Sequence, residues 1–231
     1  MKNILKAFLA GVLALGTISC SDFIDRPTED SYTVAKYYKN DEECEQGVNY
    51  LYNGPWYDIL NFYIHGSETM CGNVYQSQSP YASLTLNGTD ADLKKMAYAL
   101  WAGNANCNVV INNILNAEGP SQAKKNQCIG EALSWKAMAY FILVRTFGDV
   151  PIIHDNEGLI KDSDYNKVVK VQKEDVYEYI IMTLEKAMEL LPKDPYKGVY
   201  NRIDYYAAEA LLSKVYLTKA GVSGSLDQDD L

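Results

Sequence analysis

The stretch EALSWKAMAYFILVRTFGDVP, residues 131–151, decides the fold class of this chain. Apolar residues in and just before it recur at spacings of three and four, which is the period of one face of an α-helix. These positions are Ile129, Leu133, Ala137, Tyr140 and Val144. Gly148 is suited to ending the helix, because glycine tolerates the backbone conformation that follows a helix C-terminus. The pattern predicts a long helix from about Gln122 to Phe147, with Ser121 as its cap.

Further helices are predicted on both sides of this stretch. Asn40, with Glu43 in a capping-box arrangement, is expected to open a helix that carries Cys44, Val48 and Leu51 on one stripe. Other apolar stripes run from Leu100 to Ala117, from Val176 to Leu191, and from the cap Asp204 to Gly221. The stripe from Leu100 to Ala117 includes Val109. Alanines with aromatic residues nearby on these helices favour close packing of neighbouring helices. We therefore expect an all-α-dominated, tetratricopeptide-like solenoid of helix pairs with a long irregular loop and short β elements, although no consensus repeat is present.

The segment from Pro55 to about Asp92 lacks helical periodicity and is rich in aromatic and small polar residues. A loop of this length inside a compact domain is functional or disordered, and its aromatic content argues against disorder. Aromatic rings can stack on the apolar face of a sugar while amides and carboxylates bond its hydroxyls. The alternative is that the same rings pack the loop onto the helices, as we expect for Trp101 and Trp135. The candidate glycan-binding residues are Trp56, Asp58, Asn61, Tyr63, Asn73, Tyr75 and Tyr81.

The first nineteen residues have the features of a bacterial export signal. Lys2 and Lys6 precede an uncharged apolar run that is too short to span a membrane. The run ends at Leu15–Cys20, LGTISC, which resembles a lipobox although Thr17 replaces the usual leucine. We expect residues 1–19 to be a lipoprotein signal peptide, Cys20 to carry the lipid anchor, and residues 20–33 to form a polar tether.

Composition excludes several classes of function. With 48% hydrophobic and 22% charged residues the chain is typical of a globular protein, and its net charge of −9 argues against nucleic-acid binding. It has two histidines and no CxxC pair, so we predict no metal site and no cofactor. Cys44, Cys107 and Cys128 are expected to be buried free thiols, although a disulfide is possible in an oxidising compartment. No catalytic motif supports an enzyme.

The stretch 131–151 also resembles the central signature of the SusD/RagB family, EAxxxRAxxYFxLVRxFGDVP, with Lys136 in place of the arginine. Residues 174–192 and 202–217 agree with the family in order and spacing, as does the start CSDFIDRP at Cys20. The resemblance implies that residues 34–231 are the helical N-terminal domain of a protein about twice as long, truncated at its C-terminus.

The resemblance further implies a non-catalytic lipoprotein of the outer membrane, exposed at the cell surface, whose contact with the membrane is the lipid alone. Such a protein captures oligo- or polysaccharide and delivers it to a SusC-like TonB-dependent transporter. The acidic residues that follow Cys20 resemble an export signal to the outer face of this membrane. The alternative is a surface interaction protein that binds peptides or another protein through its helical solenoid.

Overall fold

A computed structural model describes residues 37–54, 56–77, 79–163, 165–194, 201–222, 227 and 229–230. The predicted signal peptide, Cys20 and the tether at 20–33 lie outside the described residues, so these assignments remain predictions. No helix in the described ranges is long and apolar enough to cross a membrane.

The described chain is helical, which confirms the predicted fold class at this level, whereas the solenoid arrangement remains an expectation. Two 3₁₀ turns, Tyr50–Tyr52 and Tyr165–Lys167, and a π-helix at Asn61–Gly66 supplement the α-helices. In the described ranges, the extended backbone forms only an isolated antiparallel bridge between Val150 and Val171. The α-helices are α1 (Asp41–Asn49), α2 (Tyr57–Leu60), α3 (Ser67–Met70), α4 (Ala91–Asn116), α5 (Gln122–Phe147), α6 (Asn156–Lys161), α7 (Lys173–Leu190) and α8 (Tyr205–Lys219).

The three predicted helix caps are confirmed. The side chains of Asn40, Ser121 and Asp204 accept hydrogen bonds from the backbone N–H groups three residues further on, at 2.9, 3.3 and 2.8 Å. Each bond satisfies an amide that the helix itself leaves without a partner. The capping box at α1 differs from expectation, because the carboxylate of Glu43 accepts the N–H of Lys39 at 2.6 Å.

Helix α5 lies at the centre of the core and packs against α4 and α7, with α1 on a further side. It is buried over far more of its circumference than the single predicted stripe, since Phe141, Ile142 and Leu143 are buried along with Tyr140 and Val144. Burial of a large apolar side chain contributes about 1.5–3 kcal/mol. The stretch 131–151 therefore contributes much of the core.

Helix α4 begins earlier than its predicted stripe, and its buried face coincides with that stripe only in part. Its buried positions include Met96, Leu100, Cys107 and Ile114. Val109, which the pattern assigned to the apolar face, is 48% exposed. The prediction was wrong at Val109 because buried asparagines, which do not register as apolar, occupy part of the true inner face of α4.

The segment from Pro55 to Asp92 is not irregular throughout. Helix α2, the π-helix and α3 follow one another from Tyr57 to Met70, while residues 71–77 and 79–90 form turns, bends and irregular backbone. Leu84–Leu86 form no strand, and in the turn that follows them the side chain of Asn87 accepts the N–H of Thr89 at 2.9 Å.

Candidate functional site

Some aromatic rings of the segment from Pro55 to Asp92 pack against the rest of the fold, and others face solvent. Trp56 is half-buried, its indole Nε1–H donates to the carbonyl of Leu51 at 2.6 Å, and its ring lies 4.8 Å from that of Trp135. The ring centroid of Tyr81, which is 6% exposed, lies 5.8 Å from that of Phe62. Packing onto the helices, the alternative left open by the sequence, therefore describes both Trp56 and Tyr81.

Tyr81 also ties the segment to the start of α4. Its hydroxyl donates to Asp90 Oδ1 at 3.0 Å, and the same oxygen accepts the N–H of Leu93 as the cap of α4. Burial, followed by the hydrogen bond to Asp90, raises the pKa of Tyr81 to about 12. The phenol therefore stays protonated at physiological pH and keeps donating to the cap.

Three tyrosines of the segment have exposed rings. Tyr57 is 80% exposed, Tyr75 is 87% exposed and Tyr63 is 41% exposed. We call Tyr57, Tyr63 and Tyr75 the exposed tyrosine set. Ile59 and Phe62, which lie between the first two in sequence, are buried in the main core. The helical segment thus holds Tyr57 and Tyr63 on a fixed backbone.

Arg145, near the end of α5, brings a positive charge to Tyr63 of this set. Its Nη2 donates to the hydroxyl of Tyr63 at 3.3 Å, and its Nε donates to the carbonyl of Phe141 at 3.1 Å. The guanidinium carbon lies 4.1 Å from the centroid of the Phe141 ring, within the range of a cation–π contact. The guanidinium is positioned by its own helix and has further N–H donors for a ligand.

The polar residues predicted for the site have separate environments. Asp58 is exposed on α2, and the amide of Asn73 donates to the carboxylate of Glu68 at 2.8 Å. Asn61 falls within the π-helix, and its side chain is outside the described part of the structure. The roles of all three in ligand binding remain predictions.

Two residues of this surface were absent from the sequence-based set. Tyr57 is one of the aromatic residues of the segment, but the sequence pattern does not distinguish an exposed ring from a packed one. Arg145 lies in the signature stretch, where its helical position pointed only to the fold. In the described residues no group of three or more His, Cys, Asp or Glu side chains could hold a metal ion.

Two curated proteins are similar to this chain over most of its length. The chain is 32% identical to a SusD-like protein of Bacteroides ovatus, over 98% of this chain and 42% of the relative. It is 26% identical to SusD-like protein P2 of Formosa agariphila, over 90% of this chain and 42% of the relative. The chain therefore spans less than half the length of the curated relatives it matches.

Solved structures share the fold. A crystal structure with a xylogluco-oligosaccharide is 26% identical, with a TM-score of 0.68, covering 81% of this chain and 37% of that one. A SusD homologue from Bacteroides thetaiotaomicron is 22% identical, with a TM-score of 0.69, covering 91% of this chain and 41% of that one.

A family model described as "Starch-binding associating with outer membrane" matches residues 42–217, which is more than half of the chain. This match covers most of α1 and of α8, together with every helix between them. The resemblance read from residues 131–151 is thereby confirmed, and the chain belongs to the SusD-like family.

Proposed function

We propose that this chain is the glycan-binding part of a lipid-anchored protein on the outer face of the outer membrane. It captures oligo- or polysaccharide without catalysis and delivers it to a SusC-like TonB-dependent transporter. Membership of the SusD-like family and the similarity to a structure containing a xylogluco-oligosaccharide support this proposal.

The observation that carries the proposal is the exposed tyrosine set, one member of which, Tyr63, accepts a hydrogen bond from Arg145. Large aromatic rings left in water lose the free energy that burial would provide, so the exposure of three tyrosines along one segment indicates a binding surface. The apolar face of a pyranose can stack on an exposed ring such as Tyr57 or Tyr75, and the guanidinium of Arg145, beside Tyr63, can donate to sugar hydroxyls. Because Trp56 and Tyr81 are packed, we assign them to the support of this surface rather than to ligand contact.

Affinity electrophoresis of the chain through a panel of soluble polysaccharides tests the proposal. We expect at least one polysaccharide to retard the protein, and the double variant Tyr57→Ala/Tyr75→Ala to lose most of this retardation. Each ring is expected to contribute about 1 kcal/mol, a several-fold change in affinity. Tyr165→Ala, at a tyrosine that is 60% exposed outside the segment, is the matched control and should be retarded as the wild type is.

The alternative, a surface protein that binds peptide through its helices, predicts a different pattern. No polysaccharide of the panel would retard the chain, and a peptide ligand would bind the wild type and the Tyr57→Ala/Tyr75→Ala variant equally. That pair of results would overturn the glycan proposal.

The anchor and the surface location require a separate experiment in the native host. We expect labelled fatty acid to be incorporated into the wild-type protein but not into Cys20→Ser. Protease added to intact cells should degrade the wild-type protein. Survival of the protein until the cells are lysed would contradict surface exposure, and labelling of Cys20→Ser would contradict the anchor.

A further inference from the structure

A second candidate binding site lies away from the tyrosine set, between α4, α5 and the start of α6. It is a pocket of about 360 Å³. This volume lies within the range of small-molecule sites in proteins. One wall is apolar and consists of Val109, Ile111, Leu115 and Leu133. The lining also has polar groups, the amides of Asn108 and Asn112 on α4 and of Asn156 at the start of α6.

The unusual member of the lining is Lys136, a lysine that is only 5% exposed. Its Nζ donates to Asn108 Oδ1 at 2.7 Å and lies 5.6 Å from the centroid of the Tyr179 ring. An ammonium group has three N–H donors. In the described part of the chain, Asn108 is the hydrogen-bond acceptor that it reaches, and no carboxylate forms an ion pair with it.

The surroundings hold Asn108 in the orientation that Lys136 requires. The amide nitrogen of Asn108 donates to the carbonyl of Ile153 at 3.0 Å and to Asn156 Oδ1 at 2.7 Å. With both N–H groups used, its oxygen must face the lysine. Lys136 is thus fixed at the wall of the pocket by a pre-formed network.

A buried ammonium without a counter-ion is costly, because desolvation is not repaid by a paired charge. Burial lowers the pKa of Lys136 to about 8. At neutral pH the group therefore remains largely protonated. A ligand carboxylate that entered the pocket would supply the missing counter-ion through a charge-assisted hydrogen bond.

Other titratable groups line or approach the pocket. His154, Asp155 and Glu157 are exposed at its rim, and Asp155 is already engaged as the cap of α6, accepting the N–H of Gly158 at 2.8 Å. Exposed rim charges are screened by water and salt, whereas the buried lysine is not. The thiol of Cys107, whose pKa burial raises to about 12, is neutral at physiological pH.

We propose that this pocket binds one hexuronate unit, with the sugar carboxylate on the ammonium of Lys136. The amides of Asn112 and Asn156 bond the hydroxyls, and the apolar wall contacts the face of the pyranose ring. That the ligand is a sugar rests on the proposed function, whereas the requirement for a carboxylate rests on Lys136 alone.

Titration calorimetry of the chain with sodium glucuronate and sodium galacturonate, against glucose, galactose and acetate, tests this proposal. We expect one of the two uronates to bind at least tenfold more tightly than its neutral counterpart and than acetate, consistent with a hydrogen bond to a charged group. Lys136→Met should remove this preference, and Lys95→Met, at an exposed lysine of α4, should retain it. Affinity should also fall between pH 7 and pH 9.5, as Lys136 loses its proton.

Val109→Trp provides a variant that leaves the buried network untouched. Val109 is on the exposed wall of the pocket, so a tryptophan there should obstruct it and weaken uronate binding at least tenfold without unfolding the chain. Equal binding of uronate and neutral sugar, a uronate preference that survives Lys136→Met, or uronate binding that is unaffected by Val109→Trp, would overturn the proposal. If Lys136→Met does not fold, the uronate affinity of Val109→Trp alone tests the proposal.

Failure here is distinguishable from failure of the proposed function. Binding of neutral polysaccharide that depends on Tyr57 and Tyr75 would stand even if no uronate bound. Conversely, uronate binding sensitive to Val109→Trp would stand if the tyrosine variants had no effect on retardation.

Discussion

The guanidinium of Arg202 meets the carboxylate of Glu131 inside the protein, with Nη2 2.6 Å from Oε2 and Nε 3.1 Å from Oε1. Glu131 is fully buried on α5, and Arg202 lies just before α8. The hydroxyl of Tyr52 donates to Glu131 Oε2 at 2.7 Å and accepts the N–H of Ile203 at 2.8 Å. One carboxylate thereby links the turn after α1, the central helix and the approach to α8.

Replacing Arg202 with methionine should strongly destabilise the fold. The substitution removes the guanidinium that pairs with buried Glu131, and breaking a buried pair in this way costs roughly 3–5 kcal/mol. The free energy of unfolding, measured by urea denaturation at pH 7, checks this. Lys186→Met is the control, because it removes an exposed pair with Glu189 and should cost less than about 1 kcal/mol. Equal losses in the two variants would contradict a structural role for the buried pair.

Lys136 should make stability depend on pH. Its pKa in the folded chain, about 8, is below the ordinary lysine pKa of 10.5, so between these values the unfolded chain binds more protons than the folded one. Stability attributable to this residue therefore rises with pH across that window, by roughly 3 kcal/mol in all. Buried tyrosines with raised pKa values oppose the rise near pH 10, since they ionise more readily when unfolded.

The comparison that isolates this contribution is wild type against Lys136→Met in urea unfolding at pH 7, 8, 9 and 10. The stability of the variant minus that of the wild type should fall steadily as the pH increases, because only the wild type gains from deprotonation. A difference that stays constant from pH 7 to pH 10 would show that Lys136 titrates normally in the folded chain.

Sequence-based prediction was most accurate for structural features that depend on neighbouring residues. Asn40, Ser121 and Asp204 were identified as caps because each bonds an amide three residues away, and a contact of this range depends on neighbouring residues alone. The contact between Glu131 and Arg202 spans 71 positions, and no pattern along the chain indicates it. Helices α2 and α3 escaped detection because they are only four residues long, too short for an apolar stripe to repeat.

The candidate surface was predicted as a region rather than residue by residue. The concentration of aromatics between Trp56 and Tyr81 marked the segment, but composition does not say which rings turn inward. That depends on partners elsewhere in the fold, such as Trp135 beneath Trp56 and Asp90 beside Tyr81. Arg145 was missed as a site residue for the same reason, since its proximity to Tyr63 is a tertiary contact.

A side chain at position 148 should lower the stability of the fold. It follows α5 with φ 68° and ψ −120°, a conformation that residues with a Cβ rarely adopt. Gly148→Ala should lower the free energy of unfolding by about 1–3 kcal/mol. Gly88→Ala is the matched control, because a Cβ there would meet no atom within 4 Å and should have little effect. Equal melting temperatures for the two variants would contradict strain at Gly148.

The thiols of the described region should differ sharply in reactivity. Cys71 is exposed, whereas Cys44, Cys107 and Cys128 are buried. Burial raises the pKa of Cys107 and of Cys128 to about 12, so little thiolate forms at pH 8, and alkylation requires the thiolate. We therefore expect iodoacetamide at pH 8 to modify Cys71 within minutes while the three buried thiols remain unmodified, as measured by peptide mass spectrometry.

Denaturation provides the internal control for this experiment. In guanidinium chloride all four of these cysteines should be alkylated, because protection depends on the folded core that α1, α4 and α5 form around Cys44, Cys107 and Cys128. Modification of Cys107 in the folded chain at a rate close to that of Cys71 would mean that this core opens readily. The close packing of the central helix α5 against α4 would then not describe the protein in solution.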